Sequence, residues 1–289
     1  DKLNIDFKDD FYIASLSSNR IVYKGLLLAS QIQPFFTDLS NEEVISAFAI
    51  VHSRFSTNTL GSWKLAHPYR MVVHNGEINT VRGNENWMHA RQSMFTSSLF
   101  GEDMNKVIPI IKPGQSDTAA FDNALELLLH TGRSLPHSAL MLIPEAWGDH
   151  IQMPSYKKDF YQYHSCLMEP WDGPAMIVCT DGNSLVAILD RNGLRPFRYL
   201  VTKDDLLVMG SETGVLEVPP EDVLYRSRLQ PGRMFYVDFS EGRIVGDEEI
   251  KKELAERNPY GDWLSRNVLD LDTVAVTSPV IEDDFDSII

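Results

Sequence analysis

Two short polar turns hold the residues of this sequence with the most chemistry in them. The first is His52-Ser53-Arg54-Phe55-Ser56-Thr57-Asn58 and the second is His74-Asn75-Gly76-Glu77. Each follows an apolar run that reads as a buried strand, Ala47 to Val51 and Met71 to Val73. Strand ends are where backbone donors and charged side chains can face a ligand. Glycine lets the backbone come close to that ligand. The Gly76 N–H and the Asn75 amide are two neutral donors able to converge on one oxygen, as an oxyanion hole requires. On spacing alone they equally fit an ordinary turn. Arg54 can grip a carboxylate with two parallel hydrogen bonds, or sit in a structural ion pair. Further on, Gly114-Gln115-Ser116-Asp117 opens a helix, where N–H groups and the dipole favour anions. Asp117 can simply belong to the cap. Facing a pocket, its carboxylate would hold an ammonium group. Arg54 and Asp117 together would then grip an α-amino acid by both charged ends.

Other chemistries find less support. His52, His67 and His74 fall within 23 residues, but there is no His-Glu-x-x-His and no tight His/Cys spacing, so no metal site is expected. No Gly-x-Ser-x-Gly elbow supports a serine triad. Cys166, late in a helical stretch, and Cys179, in an apolar run, both read as buried small hydrophobes. Burial raises a thiol's pKa, away from reactivity, so neither is expected as a nucleophile.

These residues sit in a chain of 289 residues with 43% hydrophobic content, enough for one large or two small domains with a sizeable core. No apolar run is long enough to span a membrane, and residues 1–20 show no signal-peptide pattern. The net charge of −15 disfavours nucleic acid and anionic membrane surfaces as partners. Two cysteines make no disulfide framework and read as reduced thiols in a cytoplasmic protein.

The elements that must position the turns follow from periodicity. Phe11–Leu16 and Arg20–Tyr23 read as strands, Leu26–Phe36 as a helix up to Pro34, and Asn41-Glu42-Glu43 as the cap of a short helix. Glu77–Phe95 reads as one helix or two, broken near Gly83. Ser116–Leu129, Ser134–Ile143 and Tyr156–Met168 read as helices, the first capped by Ser116. From Ala175 the period changes to short strands: Ala175–Thr180, Leu185–Leu189, Phe197–Val201, Leu206–Gly210, Met234–Phe239 and Arg243–Val245. Strands, a helical block, then strands again predict an α+β fold with helices layered on antiparallel sheets. We place one domain at residues 1–246. The charged stretch 247–289 reads as a helix to Arg257, a break at Asn258-Pro259 and a linker toward a following domain.

The strings His52 to Thr59, Ser62 to Pro68, His74 to Thr80, Arg82-Gly83-Asn84 and Asn86-Trp87-Met88 resemble the glutaminase domain of the glutamate synthase large subunit. So do Gln115-Ser116-Asp117, Met141 to Trp147, Met168 to Pro174 and Asp190 to Pro196. The resemblance runs from about Phe11 to Glu253. It places the chain among class II glutamine amidotransferases and implies an N-terminal-nucleophile fold, a four-layer αββα sandwich of antiparallel sheets between helices.

It also implies roles. Arg54 would bind the glutamine α-carboxylate, Asp117 the α-ammonium, and Asn75 and Gly76 would form the oxyanion hole. His74 and Glu77 would be structural. The family's nucleophile is a cysteine at the very N-terminus of the mature chain, with its own α-amino group as base. Residue 1 here is Asp1 and the first cysteine is Cys166, so the chain corresponds to the later portion of that domain, expected to be inactive alone. The whole enzyme would hydrolyse glutamine and use the ammonia to aminate 2-oxoglutarate, in glutamate biosynthesis. FMN and an iron–sulfur cluster, a small subunit or ferredoxin, and an electron donor belong to its other parts. The competing expectations are a glutamine-binding or regulatory module without catalysis, and a different class II amidotransferase.

Overall fold

The computed structural model describes residues 12–53, 61–98, 100–148, 150–269 and 274. Two antiparallel sheets dominate it. The larger has the order β1-β2-β3-β7-β8, formed by Val72–Gly76, Ala175–Thr180, Ser184–Leu189, Met234–Asp238 and Arg243–Val245. The smaller has the order β5-β4-β6, formed by Leu207–Gly210, Arg198–Thr202 and Val223–Arg228. The longer helices among the described residues are α1 (Ala29–Phe35), α2 (Val81–Arg91), α3 (Asp117–His130), α4 (Leu135–Leu142), α5 (Ser155–Ser165), α6 (Asp247–Glu256) and α7 (Tyr260–Asn267).

The period-2 alternation of strand side chains makes two cores from one sheet. Val72, Ile177, Cys179, Val186, Ile188 and Met234 pack against the helices, with Phe121, Leu125, Leu140 and Phe160. Val73, Met176, Val178, Ala187, Leu189 and Phe235 point the other way, onto Phe197, Tyr199 and Met209 at the smaller sheet. Helices, sheet and second sheet thus form successive layers of an α+β fold. The outer face of the smaller sheet is open among the described residues, where Arg198, Arg226 and Arg228 are exposed.

The helical block matches its periodicity, and Ser116 caps α3 by accepting the Ala119 N–H at 3.2 Å. Several local expectations fail. Ala47–Val51 joins no ladder, and Val51 is 83% exposed. An apolar run becomes a strand only when a neighbour takes its backbone groups. Tyr12–Leu16 and Arg20–Tyr23 are not strands for the same reason; Phe11 lies outside the described residues. Asn41–Val44 is a turn that starts no helix, closed by Val44 N–H to Asn41 O and Glu43 N–H to Asn41 Oδ1. Gly83 sits inside α2 without a break, as an exposed glycine lowers helix stability without forbidding the helix. Strand β6 has no counterpart in the sequence reading, because Val-Leu-Tyr-Arg-Ser-Arg hardly alternates and is largely exposed. Of the stretch after Gly246, residues 247–267 form two helices docked on α5, burying Ile250, Leu254, Ala255, Tyr260 and Leu264.

Candidate active site

The second polar turn ends β1, at the sheet's edge. Alternation turns His74 toward the helices, and Asn75 toward the second sheet. Gly76 has φ +142°, and a Cβ on it would lie 1.8 Å from the Pro174 carbonyl oxygen. Only glycine fits. Opposite it, Gly173 has φ +153°, and a Cβ there would lie 2.1 Å from Glu77 O. The two glycines let the chains interlock, and Glu77 N–H donates to Pro174 O at 3.2 Å. The end of the string Met168 to Pro174 therefore clamps the turn.

Helix α3 braces β1 from the other side at three points. Asp122 accepts the Met71 and Arg70 N–H groups at 2.9 and 3.3 Å. Thr118 Oγ1 meets His74 Nδ1 at 2.8 Å. Asp117 Oδ2 accepts the Ile78 N–H at 2.9 Å, just past the turn. Thr118 and Asp122 are four residues apart, hence on one helical face. Burial raises the Asp122 carboxyl to about 6, against the lowering effect of the Met71 bond.

Three histidines wedge the first turn against this assembly. His52 Nε2 donates to the His74 carbonyl at 3.1 Å, since a carbonyl can only accept. The His52 ring stacks on His67 at 4.0 Å, and His67 meets Tyr69 edge-on at 4.9 Å. Tyr69 OH bonds Ser116 Oγ at 2.7 Å. Burial lowers His67 to about 3, helped by His52, His74 and Lys24. Burial likewise lowers His74 to about 4, with Asp117 opposing and His52 and Arg195 adding. Both rings are neutral at physiological pH, so they act as shaped, packed groups. Among the described residues no set of three or more His, Cys, Asp or Glu side chains is arranged to hold a metal ion.

Asn75, Gly76 and Asp117 all border one cleft of about 1910 Å³ between the sheets, with His52 and Ser53, the start of the first turn, at its rim. The second carboxyl oxygen of Asp117 accepts the Thr118 N–H at 2.7 Å, and its side chain is 19% exposed toward the cleft. A carboxylate so held is oriented and still reachable. Arg54 lies outside the described residues; its neighbour Ser53 borders the cleft. The cysteines are elsewhere. Cys179 is buried in β2, where burial pushes its thiol up strongly. Cys166 is exposed at the end of α5, which corrects the expectation that it is buried, because the helix ends there with that face to solvent. Neither borders the cleft. Sequence reasoning missed Thr118 and Arg195. The signal for Arg195 was present in the string Asp190 to Pro196, to which no role was assigned.

The family model described as glutamine amidotransferases class-II matches residues 2–263. The chain is 56% identical over 260 residues to the glutamate synthase [NADPH] large chain of Bacillus subtilis (strain 168), covering 90% of this chain and 17% of that one. It is 49% identical over 265 residues to glutamate synthase [NADH] of Schizosaccharomyces pombe, covering 91% and 13%. Ferredoxin-dependent glutamate synthase 2 of Synechocystis is 46% identical over 259 residues, covering 89% and 17%. The chain therefore spans less than a fifth of the length of these relatives. Among solved structures, glutamine phosphoribosylpyrophosphate amidotransferase from B. subtilis aligns with a TM-score of 0.33 at 19% identity, covering 61% of this chain and 28% of that one. With a family match across nearly its whole length, the chain belongs to the class II glutamine amidotransferases.

Proposed function

We propose that this chain is the glutamine-recognition half of a glutaminase site, as in a glutamate synthase. The observation that carries the reading is the Asn75–Gly76 turn, clamped by Pro174 on one side and braced by α3 on the other, beside Asp117 on a shared cleft. Asp117 holds the substrate α-ammonium and Arg54 its α-carboxylate. A thiolate adds to the side-chain amide carbon, and the carbonyl π pair moves onto oxygen, where Asn75 and the Gly76 N–H stabilise it. The pair returns as the amide nitrogen takes the proton given up by the thiol and leaves with its bonding pair as ammonia; water then adds to the thioester carbonyl and expels the thiolate, giving glutamate. Neither Cys166 nor Cys179 suits the thiolate's place, so an N-terminal cysteine outside these 289 residues supplies it.

In the whole enzyme the ammonia aminates 2-oxoglutarate in a synthase domain that uses FMN and an iron–sulfur cluster. The residues here do not fit the cluster. A cluster needs several converging thiolates, whereas Cys179 is enclosed in a strand and Cys166 stands exposed on a helix end. The remaining domains, and a small subunit or ferredoxin, are then the partners, in the cytoplasm. No helix among the described residues is long and apolar enough to cross a membrane.

Ammonia release from glutamine tests the reading. The chain is expected to be silent alone and active when mixed with, or fused to, a polypeptide carrying the N-terminal cysteine segment. Activity of the chain alone, abolished by Cys166→Ala or Cys179→Ala, would overturn this assignment of the nucleophile. Glutamine binding without activity in either form would leave a binding module.

A further inference from the structure

Arg195 is the cation of the cleft to which the glutaminase reading gives no role. Its position is built with care. Asp190 accepts four N–H groups, from Ala175 and Leu194 at 3.2 and 3.3 Å and from Asn192 and Gly193 at 2.9 and 3.1 Å. Gly193 has φ +63°, and a Cβ there would lie 2.5 Å from Pro231, so the loop closes only with glycine. The loop is thus tied to the start of β2, the strand residue that pairs with Gly76. From it, Arg195 Nε reaches Pro174 O at 3.5 Å. That carbonyl is the one that touches Gly76 and accepts the Glu77 N–H. The guanidinium therefore stands beside the Asn75–Gly76 turn.

Among the described residues no carboxylate lies within ion-pair distance of Arg195. The other described arginine bordering the cleft, Arg243, is held by Glu241 and Glu249. A guanidinium carried on a fixed loop, with one weak backbone contact of its own, in a chain of net charge −15, is poised for an anion. The positive field reaches the turn: after burial and the opposing Asp117, it adds to His52 in keeping His74 neutral. The substrate amide of glutamine is neutral. The γ-carboxylate of the product glutamate, and the oxyanion that precedes it, are not.

We infer that Arg195 is the charge partner of the anion formed at the Asn75–Gly76 turn, so that it favours glutamate over glutamine in that place. This rests on the glutaminase reading and adds a residue to it. It selects by charge, whereas Arg54 and Asp117 grip the end common to both ligands.

Isothermal titration of the chain with glutamine and with glutamate tests it. Arg195→Gln is expected to weaken glutamate binding about tenfold, equivalent to ~1.4 kcal/mol, while glutamine binding stays within about twofold. Arg195→Lys keeps most of the glutamate affinity. In the unaltered chain, added salt weakens glutamate binding more than glutamine binding, because only one of them has the extra charge pair to screen; this readout needs no variant to fold. Equal weakening of both ligands by Arg195→Gln, or equal salt dependence, would overturn the inference and leave Arg195 a scaffold residue. Asp117→Asn separates the two readings. If it leaves both affinities intact, the glutaminase reading fails and this inference with it. If it weakens both while Arg195→Gln changes neither, only this inference fails.

Discussion

Gly76 and Asn75 show how far a single residue's chemistry can be pressed. The 1.8 Å approach of Pro174 O to a Cβ on Gly76 means that Gly76→Ala must move backbone. We expect that variant to give no ammonia release when combined with the N-terminal cysteine segment, and to melt lower than the parent by differential scanning calorimetry. Asn75→Ala removes one donor and leaves the turn's backbone alone. Its expected signature, in the form reconstituted with the N-terminal cysteine segment, is a fall in kcat of about 10²-fold to 10³-fold with little change in KM. Asp117→Asn removes the charge and keeps only one of the two acceptors, so that its amide nitrogen faces either the Ile78 or the Thr118 N–H. Losing a charge-assisted contact of ~1.5–3 kcal/mol weakens glutamine binding about tenfold to a hundredfold, read by titration calorimetry.

Helix α3 is the element on which the site depends. It presents Ser116, Asp117, Thr118 and Asp122 to successive points along the chain from Tyr69 to Ile78. Thr118→Val keeps the shape and removes the hydroxyl, leaving the His74 ring nitrogen without its partner. We expect a loss of ~1–3 kcal/mol in chemical denaturation, with Thr118→Ser restoring most of it. A brace of this kind is hard to see in a sequence, because its partners lie some 40 to 50 positions apart and each is an ordinary helix residue. Helix α6 shows a second such tie. Lys251, its side chain 1% exposed, meets Glu145 and Asp247 at 3.2 and 3.0 Å and donates to Gly232 O at 2.9 Å. Glu145 keeps Lys157 at 3.1 Å and Asp247 keeps Arg233 at 2.6 Å when this ammonium is removed, so Lys251→Met should cost about 1–3 kcal/mol rather than strand either carboxylate. A cost under 1 kcal/mol by denaturant titration would mean that water reaches the carboxylates.

The molecule as a whole should lose stability in mild acid. His137 and His164 share a 2.7 Å bond between their Nε2 atoms, and His164 Nδ1 donates to Phe160 O. The His164 Nε2 is therefore the bare acceptor, and protonating it would set two N–H groups against each other. Burial lowers His137 to about 3, and His164 to about 4. His67 and His74 are lowered likewise. Each of these folded pKa values lies below the unfolded value near 6.5, so the unfolded chain takes up protons first. The stability they contribute is complete above pH ~6.5 and drains as pH falls toward 4, at up to ~1.4 kcal/mol per pH unit for each ring. Asp122 acts in the opposite sense, because its carboxyl is raised to about 6. Its contribution is full below pH ~4 and is lost as pH rises through 6. Four histidines outweigh one carboxyl, so the melting temperature should fall between pH 6.5 and 4. Replacing the His137–His164 pair by apolar residues should flatten that slope; an unchanged slope would rule the pair out as its source.

Some of this was determined by the sequence alone. The α+β class, the capped helix at Ser116, the strand pairs after Ala175, and the donors at Asn75-Gly76 all follow from periodicity, capping and residue type, which are local properties. The family strings extended that reading to roles for Arg54 and Asp117. Tertiary structure alone decided the rest. Whether Ala47–Val51 is a strand depends on a neighbouring strand to pair with, and none of the described strands pairs with it. Whether Cys166 is buried depends on what packs over the end of α5. That the charged run after Gly246 docks as two helices depends on Lys251 finding Glu145 a hundred residues earlier. Why Gly76 must be glycine is set by Pro174, and where Arg195 points is set by Asp190. These are contacts between residues far apart in the chain. Sequence spacing holds no record of such distances, because chain closure over long separations is settled only by packing.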